Sequence, residues 1–260
     1  MDPHAFIAEV YRRMAARHAA QQPRLGWRGI ESDPMVVSSA HQYSPYLPSD
    51  RSAAILDLGF GNGAFLAACL KLGYTNLSGA DFSIGNKDHI RNWAPDRISL
   101  FEINGDIGEF LSDRKERFDF IHLSHVIEHV PKYSLFWVVD SLYWSLKVGG
   151  SLLVRTPNME GPCALSSFYV TMSHEYGFAA SNLISLLDMC GFDDVRLLNF
   201  RPHARTMKQR LGDFLRWPFL QASRWRHRLF GENVGGELGD EIIMIASRGT
   251  WPPYFDRRYR

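Results

Sequence analysis

Residues 55–65 read ILDLGFGNGAF, a short apolar run around Asp57 that opens into glycines at 59, 61 and 63. The run AAILDL, 53–58, has the length and composition of a buried strand. Glycines on alternate positions give the backbone the freedom and close approach that a tight strand-to-helix turn needs. The same alternation repeats down the chain. NLSGAD (76–81), RISLFEI (97–103), FDFIHLS (118–124), GSLLVRT (150–156) and DDVRLLNF (193–200) read as strands. Between them lie helical stretches at 63–72, 83–93, 107–115, 131–146 and 180–190. With a last strand in DEIIMIASR, 240–248, they predict a parallel sheet of seven strands covered on both faces, a doubly wound α/β domain. Ligands of such a domain sit at the carboxyl ends of the strands, at the switch point beside the first.

Composition limits what surrounds this core. The 260 residues are 45% hydrophobic with a formal charge of +1, so no overall electrostatic footprint for nucleic acid exists. Cys69, Cys163 and Cys190 form no C-x-x-C pair, which argues against a disulfide framework and a cysteine zinc site. MDPHAFIAEVYRRMAARH lacks the apolar core of a signal peptide, and no apolar run approaches the ~20 residues of a membrane span, so a cytoplasmic protein is expected. Asp2 and Pro3 open a predicted helix with Phe6, Val10 and Met14 on one face. Residues 21–52, punctuated by Pro23, Pro34, Pro45 and Pro48, read as an irregular lead-in that packs over something. The chain thus divides into a helix and cap segment (1–52), the core (53–200), a helical insertion (201–239), the last core strand (240–248) and a tail (249–260).

Read loosely as G-x-G-x-x-A, the glycine turn does not separate a dinucleotide site from its relatives. Asp57 does. A carboxylate ~5 Å from a pyrophosphate on this loop would oppose it by ~3 kcal/mol at an effective dielectric of about 20, whereas a cationic ligand reverses the sign. S-adenosylmethionine, with a sulfonium, an ammonium and a ribose but no phosphate, is such a ligand. Asp81 closes the second strand 22 residues past Gly59, where an acid reaches ribose hydroxyls. Phe82 beside it is placed to cover adenine, and Asp106 and Ile107 to meet the adenine amino group and ring. Each acid alone reads more readily as a turn or helix cap. Three at the tips of three consecutive strands read jointly as a site.

On ILDLGFGNGAF, LSGADFS, NGD, FDFIHLSHVIEHV and the Gly149–Gly150 turn, the stretch 53–200 resembles the class I S-adenosylmethionine-dependent methyltransferases, in particular small-molecule and glycan-modifying members of the type-11 and type-23 kind. The resemblance implies a Rossmann-like fold and S-adenosylmethionine as cofactor. It implies Asp57, Gly59, Gly61, Asn62, Gly63, Asp81 and Asp106 as cofactor contacts, with Leu123 and Ser124 near the methionine end.

Within HLSHVIEHV, 122–130, the spacing His125-x-x-Glu128-His129 is formally an inverted zinc-protease motif. That motif needs one continuous helix. FDFIHLS is strand-like and Pro131 follows His129, so no metal is expected. The resemblance makes Glu128 and His129 structural or pocket-shaping; His125 is expected to face substrate, and His122 reads as a core or sheet-surface histidine. The D/N-P-P-Y/F motif of exocyclic-amine methylation is replaced by Leu123-Ser124-His125-Val126, which argues against nucleic acid as acceptor. Cys163, in GPCAL, reads as a small buried thiol rather than the nucleophile of a cytosine methylase.

Methyl transfer to a hydroxyl needs alignment and a base near neutrality, which suits histidine. The long connection after the fifth strand, from Arg155 to Phe178, is where specificity is expected. Its TPN and HEYGF segments resemble methyltransferases of bacterial glycan and lipid-linked saccharide modification. His174 is the first candidate base and His125 the second, with Arg155, Asn158, Glu175 and Tyr176 as acceptor contacts. His174-Glu175 reads alternatively as a cap of the next helix or as a pin that holds the loop.

Residues 201–230 hold eight Lys or Arg against one acid, Asp213. Leu211, Phe214, Leu215, Phe219, Ala222, Trp225 and Leu229 recur three or four apart, predicting one or two amphipathic helices broken near Pro218. The segment 207–230 reads as resting on an anionic membrane surface, holding a lipid-linked acceptor, or docking its apolar stripe on the domain, with single-stranded nucleic acid a weaker alternative. The expected activity is O-methylation of a sugar or other small hydroxylated acceptor, lipid-linked ones included, in the cytoplasm or at the inner membrane face. C- or N-methylation of a small metabolite, and a non-catalytic cofactor-binding scaffold, are the alternatives.

Overall fold

The computed structural model describes residues 9, 10, 13, 26–82, 84–94, 96–161, 163–198, 207–229 and 239–250. The helix start at Asp2 and Pro3, both ends of the insertion and the tail beyond 250 lie outside the described residues. Seven strands form one sheet in the order β3-β2-β1-β4-β5-β7-β6. They are β1 (Ile55–Leu58), β2 (Leu77–Asp81), β3 (Ile98–Glu102), β4 (Phe118–Ser124), β5 (Leu146–Pro157), β6 (Phe192–Leu197) and β7 (Glu241–Arg248). Strands β1 to β5 are mutually parallel, but β7 runs antiparallel to both β5 and β6. The all-parallel expectation fails at this edge because a strand that returns beside its predecessor without a crossover over the sheet must reverse.

The helices divide between the faces. On one lie α1 (Trp27–Glu31), α2 (Pro34–Tyr43), α3 (Ala64–Lys71) and α4 (Ile84–Trp93), burying Ile55, Phe120, Leu153 and Ile243. On the other lie α5 (Ile107–Ser112), α6 (Leu135–Ser145) and α8 (Ala180–Met189), over Leu56, Leu58, Ile121, Leu123 and Val154. The short α7 (Ala164–Phe168) belongs to the connection after β5, and Cys163 at its start is exposed, not buried as expected; α9 (Met207–Leu229) lies between β6 and β7. Every residue of β1 is buried, as a central strand covered on both faces requires.

The lead-in, expected to be irregular, contains two helices. Asp33 caps α2 by accepting from the Met35 amide at 2.7 Å, and Pro34 takes the first turn. This is the same Asp-Pro start signal read at Asp2, hidden here among neighbouring prolines. Its buried Val36, Ala40 and Tyr43 lay α2 against α3. After β4 the chain makes single 3-10 turns at Ile127–His129 and Lys132–Ser134 before α6 begins, later than predicted because Pro131 is extended.

Candidate active site

Gly59, Gly61 and Gly63 all hold positive φ, 76°, 51° and 78°. A Cβ on Gly59 would stand 2.3 Å from Val126 Cγ2, and one on Gly63 2.8 Å from Ile90, whereas at Gly61 it would meet open space. Packing therefore demands the outer two glycines, and the middle one faces room. The Gly61 amide donates to Asp81 Oδ2 at 2.9 Å, so the tip of β2 is tied to the glycine loop. Asn62 Oδ1 accepts from the Ala64 amide at 3.2 Å and helps start α3. Phe82 is half-buried against the α5–α6 core.

Asp106 is the N-cap of α5. Its Oδ1 accepts from the Gly108 amide at 2.6 Å, the Glu109 amide at 3.2 Å and the Trp137 indole at 3.1 Å, and Ile107 beside it is buried. The capping reading thus applies to Asp106 as it stands, although a carboxylate accepts at both oxygens.

Asp57 and His122 face one another across β1 and β4 as register partners. His122 Nδ1 lies 2.7 Å from Asp57 Oδ1, and both are buried. Phe65 stacks on the imidazole at 3.9 Å and Tyr43 meets it edge-on at 5.0 Å, while His122 Nε2 is buried with no partner. His122 is a core histidine as expected, but one that shares the carboxylate assigned to the cofactor ammonium.

A second polar cluster lies at the tips of β4, β5 and β7. Arg155 Nη2 pairs with Glu241 Oε2 at 2.5 Å and Nη1 donates to the Tyr43 hydroxyl at 3.5 Å. His125 sits between two carboxylates, with Nδ1 3.1 Å from Glu128 and Nε2 2.8 Å from Glu241. Burial disfavours its charge, but the hydrogen bonds it donates to both carboxylates outweigh that and raise its pKa to about 9. Burial likewise opposes the charge on Glu241, yet His125 and Arg155 hold it at about 2. His125 is therefore an imidazolium at neutral pH, poorly suited to accept a proton. Tyr43 and Glu241 are the site residues the sequence reading missed. Only the paired α2 start at Asp33-Pro34 and the acid opening the last strand hinted at them.

The connection after β5 is pinned to the turn after β4. The Glu128 carbonyl accepts from the Glu175 and Tyr176 amides at 2.8 and 3.2 Å, and Glu128 Oε2 accepts from Thr156 Oγ1 at 3.1 Å. His129 Nδ1 donates to the Ser173 carbonyl at 3.0 Å and His174 Nδ1 to the Phe168 carbonyl at 2.7 Å, with the rings 4.6 Å apart. Burial lowers the His129 pKa to about 4, so its ring is neutral. Asn158 is buried, donating to the Gly239 carbonyl at 2.9 Å and accepting from the Glu160 amide at 2.9 Å. Tyr176 packs on Phe178 with Lys132 5.7 Å from its ring, and Glu175 is exposed. Leu123 is wholly buried and Ser124 half-buried beside Arg155. Among the candidates, His125, Arg155 and His174 gather at the carboxyl edge around Glu128, whereas Asn158 spends its amide on backbone. A cavity of about 260 Å³ lined by Pro48, Phe120, Gly149 and Ser151 opens at the opposite end of the strands, away from these groups.

Known proteins place this geometry. A curated ubiquinone biosynthesis O-methyltransferase of Chelativorans sp. (strain BNC1) is 31% identical over 132 residues, 47% of this chain, and the chain spans 51% of that relative. A SAM-dependent methyltransferase from Archaeoglobus fulgidus superposes with a TM-score of 0.60 at 21% identity, covering 83% of this chain and 94% of its own. The putative methyltransferase solved in complex with the Haloferax volcanii Trm112 activator gives 0.65 at 12% identity, covering 94% and 98%. These solved structures share the fold. Residues 36–214, more than half of the chain, match the family described as methyltransferase domain, and with the glycine turn, the acid-tipped strands and the sheet order in agreement, the chain belongs to that family.

Proposed function

We propose that this methyltransferase uses S-adenosylmethionine to methylate a hydroxyl oxygen of a small acceptor, a sugar or another hydroxylated compound, lipid-linked ones included. The residues fit the cofactor. Open space at Gly61, flanked by carboxylates at the tips of β1, β2 and the turn after β3, suits a ligand with an ammonium and a ribose diol and disfavours a pyrophosphate. When bound, S-adenosylmethionine supplies an electrophilic methyl carbon on a sulfonium. Asp81 and the glycine loop would hold its nucleoside and Asp57 its ammonium, with Ser124 and Leu123 beside the methionine end.

The observation that carries the O-methyl reading is the His129–His174 pair at the carboxyl edge, each ring fixed by a carbonyl at Nδ1. On His174 that bond leaves the lone pair on Nε2, and His174 is the group that takes the hydroxyl proton. His125 instead stays protonated and orients Glu128 and Glu241. Because Glu241 already matches the Arg155 charge, a neutral polyhydroxyl or phenolic acceptor suits the edge better than an anion. Leu165, Tyr169, Val170 and Met172 stand exposed around α7, close to His174, and give the edge an apolar rim. That rim, and the O-methyltransferase relative named for ubiquinone biosynthesis, support an acceptor with a lipid part.

The test is calorimetric titration with S-adenosylhomocysteine, followed by radiolabelled methyl transfer to fractionated envelope saccharides and lipids. His174→Ala is expected to keep cofactor affinity and slow turnover by roughly 10²- to 10³-fold. Transfer to carbon or nitrogen acceptors alone would refute the O-methyl reading, and cofactor binding without any transfer would leave a scaffold.

A further inference from the structure

We propose that Glu128, His129 and His174 bind one divalent transition-metal ion of the zinc class at the acceptor edge. Each side chain offers one ligand atom, and the three atoms lie within 4.8 Å of one another. Ligands around one ion at about 2.1 Å stand roughly 3.4 Å apart, so adjustments on the order of 1 Å close the set. Glu128 is buried and the histidines half-buried, so this is not a solvated acidic patch.

The groups behind these three are arranged as a metal site needs. A ligating histidine donates its second ring N–H to a carbonyl or carboxylate, which fixes the tautomer and the ring orientation. His129 does this with the Ser173 carbonyl and His174 with the Phe168 carbonyl, both through Nδ1. Glu128 is oriented in turn by Thr156 and His125. The backbone amides of Glu175 and Tyr176 on the Glu128 carbonyl lock the segment carrying His174 against the turn carrying the other two.

This is not the inverted zinc-protease arrangement suggested by the spacing of His125, Glu128 and His129. His125 is turned to Glu241 and held between carboxylates, and His174, 45 residues past His129, takes its place. Two imidazoles and one carboxylate suit zinc, cobalt or ferrous iron better than magnesium or calcium, and leave a position open for an oxygen ligand. The role of the ion, though not its binding, rests on the O-methylation reading. An acceptor hydroxyl in the open position would release its proton to solvent nearer neutral pH, and its oxygen would then take the methyl group as the C–S bond breaks. His174 would serve as ligand in the loaded protein and as proton acceptor only without the ion.

The experiment uses the full chain, stripped with chelator and dialysed. Co²⁺ is titrated in and read by visible absorption, and Zn²⁺ by calorimetry. One equivalent is expected, with ligand-field bands of a low-coordinate nitrogen–oxygen site. His174→Ala and His129→Gln should each weaken binding at least about tenfold, and His89→Gln on α4 should not. Far-UV dichroism establishes that the variants fold. Should His129→Gln misfold, His174→Ala alone decides. Absence of stoichiometric binding, or binding indifferent to His174, overturns the proposal. His174-dependent methyl transfer by the stripped protein would then leave the O-methyl reading standing without a metal.

Discussion

Asp81 carries the heaviest expectation of any single residue. It ends β2 nearly buried, with one oxygen on the Gly61 amide, so it is both fixed in place and tied to the loop that faces open space. Two hydrogen bonds from a ribose diol to this carboxylate are worth roughly 1.5 to 3 kcal/mol each, so Asp81→Ala should weaken S-adenosylhomocysteine binding about 100-fold or more in calorimetry. A loss below about fivefold would take Asp81 out of the binding site. Gly59→Ala tests the loop from the other side. Positive φ costs an alanine about 1–2 kcal/mol, and its Cβ would overlap Val126, so denaturant unfolding should report a loss of at least about 2 kcal/mol. The strand-tip acids and glycines were legible because their meaning depends on local spacing. The Asp57–His122 pair was not, because it depends on β4 lying beside β1 in register, at a separation of 65 positions along the chain. Asp106 shows the same limit, since an acid after a strand is written alike whether it caps a helix or meets a ligand.

Among elements, β7 does more than close the sheet. Its first residue, Glu241, ties Arg155 at the tip of β5 to His125 in the turn after β4, which joins the three strand ends at the carboxyl edge of the sheet. Held at about 2 against an ordinary 4.5, Glu241 stabilises the fold while ionised. That contribution is complete above about pH 4.5 and disappears as pH falls through about 2. The pair is about one-third exposed, so its worth after screening is about 1 kcal/mol. Urea unfolding from about pH 6 to about pH 3 should therefore show a shallower acid loss in Glu241→Gln than in the parent, and parallel curves would mean the ion pair adds no stability. Strand and helix periods exposed most elements to reading. They did not show that β7 reverses, because an apolar strand buried on both faces carries no sign of direction. The α2 helix was obscured for another reason: the prolines at 34, 45 and 48 punctuate the segment, although the first of them starts a helix.

At the scale of the whole molecule, α9 is the part that the fold leaves unaccounted for. It runs as one helix through Pro218 where a break was expected, a cost of one backbone hydrogen bond that the flanking turns tolerate. No described helix is long and apolar enough to cross a membrane. Yet Leu211, Phe214, Trp217, Phe219 and Trp225 are all well exposed, so within the described residues the apolar stripe does not dock on the domain. Residues 207–229 also carry six Lys or Arg against Asp213. A helix of this kind gains by laying its apolar side into the headgroup boundary, each buried large side chain contributing roughly 1.5 to 3 kcal/mol, while its basic residues favour anionic lipid. We therefore expect the protein to float with vesicles containing phosphatidylglycerol, less with pure phosphatidylcholine, and less as salt rises. Phe214→Ser combined with Trp225→Ser should reduce vesicle binding at least about tenfold and leave S-adenosylhomocysteine affinity unchanged, because neither residue belongs to the cofactor site. If instead the parent ignores both vesicles but sediments as a dimer that the double substitution dissolves, the stripe serves a second copy of the chain and the acceptor must arrive from solution.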